Sequence, residues 1–488
     1  MIDQLLLALT PILLFSCLVG VTLGILWGAM PGLSTTMAMA LLIGLSAGMS
    51  QHAALMFMLG VYTGSVFGGA ISAVLINIPG TPDAVPTMME GYPLAQRGEG
   101  GQALGTAIAA SFLGNWVGIV LLIAFIPVIL MLALQFRSWE MFLLALWGIA
   151  ISGSMSSGEM PLKGWISGWI GLLISFVGID RIHGVSRFTY EINILDDGIS
   201  YIPVLIGLFG VAEILRVLPQ KSPVGIPSDV GRIVPPFKKL RKYAKSAIRS
   251  GLIGTVVGAI PGAGANVASF FSYDIGKKRA SAEEKKIWGK GSYEGIVCAE
   301  VANNANVGGS MLPTLTLGIP GNAAAAAILG ALELHNVVVG PTIETENPGL
   351  IYFIYIGLII ANFFMYAMAI GLVKPCVKLF SLPRTLLMPC IIPICIMGAY
   401  AVSLSFFDVY VMLIAGFVGF ILHRFGYPMA PLVLAVILGP LADENLRRAL
   451  LVFEDVGFWD VIVDRPIGTV LIMIVLYTFY DGIFKRGK

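Results

Sequence analysis

Charge is what this sequence has least of. Only 12% of its 488 residues are Asp, Glu, Lys or Arg, about half the share usual in soluble domains. So few charges cannot clothe a soluble surface of this size, which excludes an ordinary cytoplasmic enzyme and a disordered protein. The basic residues form no dense stripe of the kind nucleic acid requires, so no nucleic-acid partner is expected. Four isolated histidines, His52, His183, His335 and His423, argue against a metal centre. The five cysteines lie mostly in apolar runs without ligand spacing and read as small hydrophobes. There is no Gly-x-x-x-x-Gly-Lys-Ser/Thr motif, and no Ser–His or Cys–His pairing marks a nucleophile. What abounds is apolar sequence, at 57%, with 58 glycines and a mean hydropathy of +0.88.

Apolar runs of about 17–25 residues cross a bilayer as helices. Clear ones occupy 5–30, 53–78, 117–135, 350–373 and 469–480 with its flanks. Shorter or glycine-interrupted ones occupy 139–152, 165–179, 201–215, 385–400, 409–422 and 429–441. The expected fold is an all-α polytopic membrane protein with about 11–12 membrane segments, in contact with lipid. The first run has no basic n-region and is long enough to span, so it reads as a span with the N-terminus outside. Basic residues from Arg216 to Arg249, from Lys277 to Lys290 and from Lys485 to Lys488 place those segments in the cytoplasm. Glu344, Glu346 and the mixed stretch 443–464 fit the outer side.

The glycines repeat. Gly24-Ile-Leu-Trp-Gly28-Ala29-Met-Pro31-Gly32 aligns with Gly254-Thr-Val-Val-Gly258-Ala259-Ile-Pro261-Gly262 at an offset of 230. Ile78-Pro79-Gly80-Thr81 aligns with Ile319-Pro320-Gly321-Asn322 at 241, the difference matching a charged insertion around 277–290. Basic flanks surround the first motif only in the second copy, so the halves read as inverted-topology repeats, with 250–273 as a re-entrant hairpin. The expected division is a first repeat over 1–220, a basic linker over 221–249, a second repeat over 250–445, and a loop with an added helix over 446–488. Inverted repeats characterise secondary transporters, with ligand sites near the midplane.

Pro-Gly breaks a helix, and broken backbone survives at membrane depth only in protein or beside a wet cavity. The resulting helix N-termini suit a carboxylate. Gly32, Ser34, Thr35, Gly80, Thr81, Gly262, Asn266, Gly321 and Asn322 are therefore the candidate substrate residues, with simple helix capping as the alternative for the polar ones. Glu300, Asn303 and Asn304 are candidate cation ligands, because buried polar groups of this kind are costly. The alternative is an interhelical hydrogen-bond network. Asp83, Glu90, Arg97 and Glu99 are expected at the cytoplasmic face, with Asp274 closing the second hairpin.

Gly28-Ala-Met-Pro31-Gly32-Leu33, Ile78-Pro-Gly-Thr-Pro82, Glu90-Gly91-Tyr92-Pro93-Leu94-Ala95, Gly258-Ala-Ile-Pro-Gly-Ala-Gly264, Glu300-Val-Ala-Asn303-Asn304-Ala and Leu317-Gly-Ile-Pro-Gly321 occur in order. This set resembles the large transmembrane subunit of tripartite tricarboxylate transporters. The resemblance implies a permease of the bacterial inner membrane that imports tricarboxylates, dicarboxylates or other carboxylates on a sodium or proton gradient. It implies no cofactor beyond that coupling ion. Its implied partners are a small membrane subunit of about four helices and a periplasmic solute-binding protein. Asn322-Ala323 replaces Thr81-Pro82 in the second copy, so the half-sites differ. Two other readings are a passive channel for organic anions and a membrane enzyme using Glu300 and Asp274.

Overall fold

The computed structural model describes residues 2–156, 160–217, 233, 241–380, 384–454 and 465–482. Most of the basic linker, Asp464 and the C-terminal Lys485-Arg486-Gly487-Lys488 lie outside the described residues. The first apolar run is two helices, α1 (Ile2–Ala8) and α2 (Pro11–Ala29), because Pro11 can begin a helix but not continue one. Then come α3 (Thr35–Ser46), α4 (Gln51–Ile76), α5 (Val85–Gln96) and α6 (Gly100–Ala133). A flanking group follows, of α7 (Ser138–Ser156), α8 (Pro161–Ser175), α9 (Tyr201–Ile206) and α10 (Ala212–Val217). The second half holds α11 (Ala244–Gly258), α12 (Gly264–Arg279), α13 (Ala282–Ile287), α14 (Tyr293–Leu317) and α15 (Ala323–Leu334). It ends with α16 (Ile343–Glu346), α17 (Leu350–Phe380), α18 (Arg384–Ser403), α19 (Phe406–Arg424), α20 (Met429–Val452) and α21 (Pro466–Tyr480).

Among the described residues seven helices are long and apolar enough to span a membrane: α2, α4, α6, α7, α17, α19 and α20. The chain is thus a multi-pass membrane protein. α3, α15, α21 and the Ile391–Ser403 part of α18 are shorter apolar helical stretches among the described residues.

Two helices form the centre, α4 and α14, and nearly every residue of each is buried. Small residues set how closely their neighbours approach. A Cβ built on Gly24 of α2 would lie 2.5 Å from the Val61 carbonyl oxygen, and one on Gly254 of α11 2.2 Å from that of Ala302. Gly28 meets Ser65 at 2.2 Å just as Gly258 meets Asn306 at 2.8 Å. Both pairs obey the offsets of 230 and 241 read from the sequence. Backbone conformation repeats too: Gly32 and Gly262 are left-handed (φ 88° and 77°), as are Asn77 and Gly318 at the ends of α4 and α14 (54° and 68°). The duplication therefore extends from sequence to individual contacts.

In the second half α11 and α12 lie antiparallel along α14. At one end Arg249 reaches Cys298 Sγ (3.8 Å) and Ser272 Oγ donates to the Cys298 carbonyl (2.8 Å). Pro261 and Gly262 turn the chain at the other end. The segment is a hairpin.

Outside the spanning helices, the short pair β1 (Gly178–Ile179) and β2 (Ser186–Arg187) sits in a loop tied to α20. Arg447 pairs with Asp180 at 2.9 Å and Arg187 with Asp443 at 2.8 Å. The Ile182 amide, then His183 and Arg447, hold the Asp180 carboxyl down to about 2. A carboxyl depressed in the folded state stabilises above its ordinary range near ~3.9, and that contribution disappears as pH falls through the depressed value. Thermal unfolding titrated from about pH 5 to 2 should therefore steepen at the acid end, and less so in Asp180→Asn. Identical acid limbs would refute the assignment.

Candidate functional site

All four helix breaks open on one cavity of about 690 Å³ between the halves, within the usual range for small-molecule sites. The first residues of α3, α5, α12 and α15 (Thr35, Val85, Gly264 and Ala323) line it, so four helix starts meet at one space, although at α5 the Val85 amide is already bonded to the Pro82 carbonyl. α4 and α14 add Tyr62, Asn303 and Asn306, and the flanking helices add Glu213, Arg216 and His423. Arg216 Nε donates to Glu213 Oε2 at 2.8 Å, and its Nη1 lies 3.5 Å from His423 Nε2.

Of the residues singled out in the sequence, Gly32, Ser34, Thr35, Gly80, Gly262, Asn266, Asn303 and Asn322 line the cavity. Thr81, Gly321, Asn304 and Glu300 do not; Thr81 is buried just behind Pro79-Gly80. Ser34 and Asn322 also cap helices, accepting from the Met37 amide (3.1 Å) and the Ala325 amide (2.8 Å). The capping reading thus holds for two of the polar residues, both of which still face the cavity.

The two half-sites differ in how their polar groups are satisfied. In the second, Tyr62 Oη and Ser310 Oγ are 2.8 Å apart, and Asn322 Nδ2 donates to Tyr62 Oη and Asn306 Oδ1, each at 2.9 Å. In the first, Thr81 Oγ1, Asp83 Oδ2 and both Asn303 amide atoms are buried without a partner. A buried polar group left unpaired costs about 1–3 kcal/mol, and a charged one more. Of the two half-sites, the first holds the unpaired groups.

The tripartite tricarboxylate transporter TctA family model matches residues 14–434. The chain belongs to that family. An uncharacterized 52.8 kDa protein in the TAR-I ttuC' 3' region of Agrobacterium vitis is 36% identical over 471 residues, 96% of this chain and 93% of that protein. A second Agrobacterium vitis protein, in the TAR-II ttuC' 3' region, is 36% identical over 219 residues, 45% of this chain and 89% of its own length. No solved structure matches. As a TctA-family member the chain is the large subunit of a tripartite transporter, and the matched span takes in all four breaks.

Several TctA-family motif residues lie where sequence reasoning did not put them. Asp83, in the turn before α5, and Glu90, on α5, are buried rather than exposed at a surface. Glu90 accepts from Tyr273 Oη (2.7 Å) and from the amides of Gly289, Gly291 and Ser292 (2.6, 3.0 and 2.7 Å). Arg97, by contrast, is exposed as expected and donates to the Lys290 carbonyl at 3.0 Å. Glu300 accepts from Thr87 (2.5 Å) on α5 and Ser111 (2.9 Å) on α6, joining three helices. Asn304 donates to the Glu300 carbonyl (3.0 Å) one turn back. Asp274 is half exposed and paired with Lys278 at 2.6 Å, whereas Glu300 is fully buried.

Sequence reasoning missed Tyr62, Arg216 and His423. Tyr62 was recoverable, since it stands 241 before Asn303 and so occupies the same place in the other repeat. Arg216 was assigned to the basic linker but lies on α10 in the cavity wall, and its helix carries no repeat signal.

Proposed function

We propose that this chain is the permease subunit of a carboxylate importer. It works in the bacterial inner membrane with a small membrane subunit and a periplasmic solute-binding protein, and a sodium or proton gradient drives it. The observation that carries the reading is the meeting of four helix N-termini at one cavity. Positive dipole ends favour anions, and several converging helix starts suit a ligand with several carboxylates better than a neutral solute. Ser34, Thr35, Asn266 and Asn322 would orient it, with Arg216 at one wall.

The basic flanks of the α11–α12 hairpin favour a cytoplasmic position for its open end, and the lack of such flanks on the first copy favours the opposite side. Inverted repeats around a midplane site are suited to alternating access, with this core rocking or sliding against α7–α10 and α18–α20. Uptake of labelled citrate and of dicarboxylates into proteoliposomes holding both membrane subunits tests the proposal. The expected result is accumulation that requires the binding protein and an imposed sodium or pH gradient. Flux that merely equilibrates, with or without a gradient, would instead make the chain a passive channel.

A further inference from the structure

We infer that the first half-site binds one monovalent cation through Asp83, Thr81 and Asn303, and that its counterpart in the second half binds none. The inference rests on the importer reading for the cation's purpose, as the coupling ion, and for its chemistry on the burial and donor types of these three side chains.

Thr81 and Asn303 bring their side chains within hydrogen-bonding reach of the Asp83 carboxyl without completing a well-aligned bond to it. Asp83 Oδ2, Thr81 Oγ1 and Asn303 Oδ1 are buried and accept no hydrogen bond. Thr81 and Asn303 are wholly inaccessible and Asp83 is 5% exposed, so bulk water does not satisfy them. Ser72 Oγ, beside Gly80, is a further unpartnered oxygen on the same face of α4. Hard oxygen donors with a single carboxylate suit a small monovalent ion; calcium sites gather more oxygens and more charge. Asp83 also lines the cavity, so the ion would sit where its charge is felt by an anionic substrate.

The repeat supplies an internal comparison. At the offset of 241, Thr81 corresponds to Asn322, Asp83 to Ala324, and Asn303 in the opposite half to Tyr62. The second half-site thus has no carboxylate, and its hydroxyl and amides satisfy one another through Tyr62, Ser310, Asn306 and Asn322. It needs no ion. The same backbone frame has been closed with hydrogen bonds on one side and left open to an ion on the other. Glu300 and Asn304 are then structural, since their side chains are engaged between helices.

The test is equilibrium binding of radiolabelled sodium to the full-length chain in nanodiscs, with choline as the balancing cation and no substrate or partner subunit. Wild type should bind sodium saturably, at one per chain. Asp83→Asn should abolish binding, and Asn303→Ala and Thr81→Val should each weaken it about tenfold or more. Glu300→Gln should bind as wild type does. Monodisperse elution of each variant guards against misfolding, and Thr81→Val keeps the carboxylate should Asp83→Asn fail to fold. Absence of saturable binding in wild type, or undiminished binding in Asp83→Asn or in folded Thr81→Val, overturns the site. Carboxylate uptake that persists in such a case leaves the importer reading standing, whereas sodium binding without any uptake strikes at that reading and not at the site.

Discussion

Replacing Glu90 with alanine is expected to abolish recovery of a folded, monodisperse protein. Its carboxylate is fully buried and accepts from the Gly289, Gly291 and Ser292 amides and from the Tyr273 hydroxyl. Hydrogen bonds to a charged group contribute about 1.5–3 kcal/mol each, and a donor stranded in the interior costs a comparable amount. Three stranded amides at the entry to α14 exceed a large part of a typical folding free energy of about 5–15 kcal/mol. The damage falls on the central helix of the second half, held by a residue of the first. Glu90→Gln should be milder but still clearly destabilising, because its amide group must face one of the backbone donors. Thermal unfolding and size-exclusion yield in one detergent measure both variants. A Glu90→Ala protein that elutes and melts as wild type does would mean the carboxylate holds nothing together.

The duplicated breaks were legible because they depend on local chemistry. Pro-Gly in an apolar run has few structural meanings, and two runs in register across a linker have fewer still. The contacts of Gly24 with Val61 and of Gly254 with Ala302 then follow the same arithmetic. Buried acids were not legible in this way. Asp83 and Glu90 stand among charged and small residues after the first Ile-Pro-Gly, a pattern that reads as a surface turn. Their burial depends on Asn303 and on the loop around Gly291, more than two hundred positions away. The cavity walls contributed by α10 and α19 were hidden for a related reason. Arg216 and His423 lie outside the repeated segments, so neither local pattern nor offset points to them. Sequence periodicity records what a helix does to itself, and the site is made where helices from different parts of the chain meet.

The second large effect is expected at Gly254. Alanine there places a Cβ 2.2 Å from the Ala302 carbonyl oxygen, a backbone atom that no rotamer change can move. α11 must then back away from α14, breaking the contact at Gly258 as well, where a Cβ would already stand 2.8 Å from the Asn306 oxygen. In lipid, helices associate through close packing of small residues rather than through expulsion of water, so the lost contact has little to replace it. The displacement continues into function, because α11 leads directly to Gly262 and Ala263 in the cavity wall. Gly254→Ala should therefore lower thermal stability and uptake together, and Gly254→Val should prevent folding. Gly371 in α17 supplies the contrast, since a Cβ there meets nothing within 4 Å. Alanine favours a helix over glycine by about 0.5–1 kcal/mol, so Gly371→Ala should be neutral or stabilising. Equal responses at the two positions would show that helix propensity, and not contact between α11 and α14, governs what glycine does in this chain.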